Sequence, residues 1–202
     1  MSFLSRLPKK VKWIAAAMGI LLVGAFAAYI TSPLAKNRVP SEFNDSRYLA
    51  ASVAGGIVDM LHETSTNLQK IQELEQEQKG FRALDIVSAE LKKTTDISNK
   101  ATQLATYLET MARQIPGISP NTAAQSALVA ISSETALINQ LLVYNNNLSR
   151  LMLLLQDRYM GKGARLEDIN KVVDEINQGV ESINSLNTQF GQVMEGFDAY
   201  YK

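Results

Sequence analysis

The side chains able to do chemistry are few and scattered. The single histidine, His62, has Asp59 three residues before it, which places both on one face of a helix, as in a carboxylate-histidine metal pair. That pair is only a fragment of a site. Di-iron bundles need a Glu-x-x-His motif on each of two helices, and one histidine cannot supply both. His62 therefore reads as a polar surface residue. Glu73, Glu75 and Glu77 alternate along the chain, so in a helix they point in different directions and read as a solvated helix end. Gly161-Lys162-Gly163 lacks the spacing and following Ser or Thr of a phosphate-binding loop, and G-x-G-x-x-G, G-x-S-x-G and H-E-x-x-H do not occur. The absence of cysteine excludes thiol nucleophiles, thiolate metal sites and disulfides. No cofactor, metal or enzymatic role is expected.

One polar cluster stands out because its surroundings are apolar: Asn139, Gln140, Tyr144, Asn145, Asn146 and Asn147 interrupt a leucine-rich segment. Some of them must approach a core. A buried asparagine fixes register or oligomeric state at a cost in stability, and a cluster could also line a polar pocket between helices. Asn139, Tyr144, Asn145 and Asn146 are the candidates for either role.

Charge distribution orients the chain. Lys and Arg balance Asp and Glu at 20 each, yet Arg6, Lys9, Lys10, Lys12, Lys36 and Arg38 precede position 40 with no acidic residue among them. The 14 remaining basic residues face 20 acidic ones, so the rest of the chain is net negative and unsuited to a phosphate backbone; nucleic acid is not an expected partner. Trp13 to Ile30 is free of charge and about eighteen residues long, near the lower end of what a hydrocarbon core of ~30 Å requires. Trp13 and Tyr29 stand at its ends, where amphipathic rings prefer the interface. The sequence thus predicts a basic cytoplasmic tail over 1–12, a transmembrane helix over 13–32 and a proline-punctuated spacer over 33–40. Ala25-Phe26-Ala27 also fits a signal-peptide cleavage site, but the apolar run continues past it, and an uncleaved anchor is the preferred reading. Ala15 with Gly19, and Gly24 with Ala28, have the small-residue spacing that lets transmembrane helices approach closely.

The remainder, 41–202, is predicted to be helical throughout, with helices over about 41–78, 81–114, 120–160 and 164–201. Ser41 and Ser119 read as N-caps and Gly80 as a turn, although one rod from Ser41 to Gln114 stays open. Gly161 and Gly163 supply turn conformations. The fourth segment has apolar residues from Leu166 to Tyr201 at alternating spacings of three and four, interrupted at one seam position by Asn187. Equal segment lengths favour an all-α fold: an N-terminal transmembrane helix followed by an antiparallel, coiled-coil-like four-helix bundle. That topology returns the C-terminus to the bilayer, where Tyr200 and Tyr201 are candidates for contact with lipid headgroups.

Function is then expected to be contact. The leading expectation is a single-pass structural or assembly subunit of a bacterial cell-envelope complex, such as a secretion or transport machine. Its domain faces the periplasm, and its partners are the bilayer, other membrane or periplasmic proteins, and a second copy of itself. The alternative is a ligand sensor, since the architecture resembles, at the level of fold, the periplasmic four-helix sensory bundles of chemoreceptors. In these 202 residues there is no second span or output domain, so a sensor would have to signal through a partner protein.

Overall fold

A computed structural model of the chain describes residues 39–77 and 79–201. The predicted tail, membrane span and most of the spacer lie outside the described residues. Four long helices make up nearly all of what is described: α1 (Ser41–Gln76), α2 (Gly80–Gln114), α3 (Asn121–Tyr159) and α4 (Leu166–Ala199), with a 3-10 turn at Ile115–Gly117. No strand occurs among the described residues. At 1.5 Å per residue each helix is roughly 50 to 60 Å long.

The helices pack in chain order, α1 on α2, α2 on α3 and α3 on α4. Contacts between them fix an antiparallel sense: Glu63 and Asn67 of α1 meet Lys93 and Glu90 of α2, while Tyr144 and Arg150 of α3 meet Gly179 and Glu175 of α4. The seams follow the spacing of three and four that brings one helix face repeatedly to the same side. In α2 the buried series is Ala83, Val87, Glu90, Thr94, Ile97, Ala101, Leu104, Leu108 and Met111. Alanines at Ala83, Ala101, Ala123 and Ala127 are almost wholly buried, and their small side chains let the backbones approach while leucines and isoleucines fill the space between. Each fully buried Leu or Ile contributes about 1.5 to 3 kcal/mol over its exposed state.

The ends of the helices differ from expectation in detail. Pro40 and Pro120, not Ser41 and Ser119, occupy the N-cap positions. Both hold an extended backbone, and their carbonyls accept the amides of Phe43 and Asn44, and of Ala123 and Ala124. A separate α1 and α2 replace the single-rod alternative, because the chain breaks between Gln76 and Gly80. Gly80 is the first residue of α2 and not the turn itself; the amide of Lys79 closes the end of α1 on the Leu74 carbonyl at 2.8 Å. The α3–α4 connection does use glycine. Gly161 (φ 71°) sits just past the helix, its amide on the Arg158 carbonyl and that of Lys162 on Asp157, the bonding of a Schellman motif.

Helix α3 is long and apolar enough to cross a membrane by length and composition, and 44% of its most apolar window is buried within the fold. From Asn121 to Ser149 its only charged residue is Glu134. Its two flanks contact α2 and α4, which accounts for the high apolar content without recourse to lipid.

Candidate functional site

At one end of the array the start of α1, the α2–α3 connection and the end of α4 come together. The rings of Phe43 and Phe197 lie 5.7 Å apart, and the Tyr201 ring meets that of Phe197 at 5.3 Å with a tilt of 59°. Arg47 lies 5.9 Å above the Phe197 ring and grips Asp198 with two hydrogen bonds of 2.9 and 3.0 Å. A Cβ on Gly117 would stand 2.8 Å from Cγ of Pro40, so only glycine lets the connection lie this close to the start of α1. The two interface tyrosines separate here: Tyr200 is exposed, whereas Tyr201 is half-buried and donates its hydroxyl to the Ser119 carbonyl at 3.1 Å. The other candidates for the membrane, Trp13, Tyr29, Ala15, Gly19, Gly24 and Ala28, lie outside the described residues.

The central polar cluster divides by helical geometry. Residues 144 and 145 point inward; 139 and 146, seven apart, share the opposite face. Tyr144 and Asn145 are buried, and Asn139 and Asn146 are exposed, so the last two are not core residues. Asn145 donates to the Thr94 carbonyl at 2.7 Å and to the Ser98 hydroxyl at 2.9 Å, tying α3 to α2 at one height. The Tyr144 ring packs on Gly179 of α4, where a Cβ would touch it at 3.4 Å. Burial raises the Tyr144 hydroxyl well above its usual pKa. Asn187, the seam residue of α4, is buried.

Besides Asp198, two buried carboxyls escaped the sequence reading. Glu90, almost wholly enclosed, accepts Asn67 at 2.6 Å and Lys93 at 2.7 Å, and Lys93 also reaches Glu63 at 3.0 Å. This network joins α1 to α2. Glu134 of α3 is equally buried, and neither carboxyl oxygen meets a hydrogen-bond partner among the described residues. Burial pushes its pKa to about 8, which favours the protonated, neutral form. The signal for both was available: each continues an apolar three-and-four series through a charged residue.

At the far end Glu75 corrects the reading of a fully solvated helix terminus. It is half-buried against α3, accepts the Tyr159 hydroxyl at 3.4 Å, and burial raises its pKa to about 7 despite the nearby Arg158 guanidinium. Gly80, Arg158, Tyr159 and the glycine loop frame an open cleft of about 480 Å³ beside it. Phe81 (89% exposed) and Met160 (52%) stand at this same end. His62 is exposed, and no group of His, Asp or Glu among the described residues could hold a metal ion.

What these elements define is a class: an all-helical protein in which buried Glu90, Asn145 and Asp198 bond helix to helix. No protein family matches the chain, and neither a curated protein nor a solved structure does.

Proposed function

We propose that the chain is a single-pass, membrane-anchored structural subunit of a bacterial cell-envelope complex that acts through helical protein contacts. In this reading residues 13–32 span the inner membrane with the basic tail in the cytoplasm. The four helices form an antiparallel, coiled-coil-like bundle in the periplasm, with Val39 and Tyr200 at the membrane end. Support comes from the uncharged Trp13–Ile30 run, its basic flank, and the helical packing just described.

The observation that carries the proposal is Phe81. A phenylalanine left 89% exposed at the end farthest from Val39 forgoes about 2 kcal/mol of burial, which a docking partner would recover. Met160, exposed at the same end, adds an adaptable apolar surface. A photo-crosslinking amino acid at position 81, activated in living cells, tests this. The expected product is a covalent adduct with a different envelope protein. Recovery of the uncoupled monomer alone would contradict a contact function at this end.

A further inference from the structure

Helix α3 carries a second seam on its outer side. Val129, Ser132, Ala136, Asn139, Val143 and Asn146 are all exposed, and their spacings alternate three and four without a break, a pattern that continues through Arg150 to Leu153. Of the nine large hydrophobic side chains exposed among the described residues, four, Leu128, Val129, Val143 and Leu153, belong to this helix. The stripe is also uncharged from Asn121 to Ser149, whereas the outer faces of the other helices carry both signs: Asp59 and Lys70 on α1, Lys92 and Asp96 on α2, Lys171 and Asp174 on α4.

We propose that this stripe is the face on which a second copy of the chain docks, α3 against α3 in parallel about a two-fold axis. The spacing demands a helix running alongside, since residues repeating every 3.5 positions stay in line only for a partner packed knobs into holes. Self-complementarity makes that partner an identical helix. A two-fold axis sets each stripe residue near its own copy, where a charged residue would repel itself; the one charged residue in the pattern, Arg150, is paired with Glu175 of its own chain at 3.1 Å. The carboxamides of Asn139 and Asn146 each hold donor and acceptor together and bond to their own kind. The parallel sense rests on the anchor reading above, because two chains leaving one membrane through the same segment present α3 in the same direction.

Size agrees with a tethered dimer. Gln125 to Leu153 spans about 42 Å. A strip about 10 Å wide on each copy then buries roughly 800 Å² in total, below the ~1,200 Å² of independently stable interfaces. Confinement to one membrane raises the effective concentration and supplies what the area lacks.

The native chain has no cysteine, so single cysteines report without background. Val129→Cys, Ala136→Cys and Val143→Cys are placed one at a time in the full chain in its native membrane and oxidised. Thr102→Cys on α2 and Ser185→Cys on α4, both exposed, serve as controls. All three stripe cysteines are expected to form disulfide-linked dimers about tenfold or more faster than the controls, as local concentration at a docked face requires. Rates equal to the controls overturn the proposal. Pairing at one position alone, with the other two at the control rate, overturns the parallel arrangement. Adding Val143→Glu to the Ala136→Cys chain should reduce cross-linking to the control rate with an unchanged unfolding midpoint; undiminished cross-linking contradicts the docking face. Alkaline washing of the same membranes reports anchoring separately. A soluble chain whose stripe cysteines still pair contradicts the anchor and keeps the face, whereas a sedimenting chain whose stripe behaves like the controls contradicts the face alone.

Discussion

Arg47 and Asp198, 151 residues apart in sequence, form a two-pronged ion pair that joins the first turns of α1 to the last turn of α4. The carboxylate is 5% exposed and the guanidinium lies over the Phe197 ring, so the pair works in a screened pocket where both bonds count.

Asp198→Ala removes the acceptor of both guanidinium prongs and is expected to destabilise the fold by about 3 kcal/mol, as breaking a buried pair from one side does. The double variant with Arg47→Ala should recover part of that loss. Urea denaturation of the three variants checks it, and a cost within about 0.5 kcal/mol would place the pair among ordinary surface contacts.

The asparagines of α3 should separate sharply. Asn145→Ala loses two interhelix hydrogen bonds and is expected to cost about 1 to 3 kcal/mol. Asn139→Ala and Asn146→Ala, on the outer face, should change the stability of the single chain by less than about 0.5 kcal/mol. Denaturant midpoints measured in detergent on the same day compare them directly, and equal effects at all three would contradict the inward and outward assignment.

Glu134 gives the fold a pH dependence of definite sign. Its carboxyl titrates near 4.5 when solvated and at about 8 when folded, so the native state holds a proton that the unfolded chain releases between these values. Its contribution is fully present below about pH 4.5 and is lost as pH rises through about 8. Glu134→Gln keeps the neutral shape and should melt higher than wild type at pH 8 while matching it near pH 5. Glu75, raised to about 7, acts in the same direction in both proteins and cancels in the comparison. Parallel melting curves from pH 5 to 9 that never diverge would refute the assignment.

Glycine matters at the α3–α4 loop and not at the α1–α2 break. Gly163, at φ 84°, holds a left-handed backbone, so Gly163→Ala should cost about 1 kcal/mol. Gly80→Ala places a methyl 3.7 Å from the Tyr159 ring, an ordinary contact at a helical position, and should be neutral or slightly stabilising. Thermal unfolding of the two variants distinguishes them.

The all-helical class was legible because hydrophobic spacing is a strong and redundant signal; the helix breaks between 114 and 120 and at Gly161 to Gly163 were legible because proline and glycine act locally. Less was legible at the polar positions. Phe81 and Leu49 look like core residues by type yet are exposed, since each falls off the seam that Ala83 and Ala50 occupy. Glu90 and Glu134 look like surface residues by type yet are buried, because position on the seam decided their burial while their charge suggested the opposite. For Glu75 the deciding factor was Tyr159, a residue 84 positions away that local periodicity cannot supply. Among the asparagines only the phase of the helix separates Asn145 from its neighbour Asn146, and that phase is fixed by α2 and α4.

The most direct test of a tethered periplasmic helix array is labelling of Thr102→Cys, an exposed site on α2, with a membrane-impermeant maleimide in intact spheroplasts. The account predicts full labelling before lysis, on a chain that stays with the membrane through an alkaline wash. Labelling only after lysis, or a chain released into the soluble fraction, would contradict it.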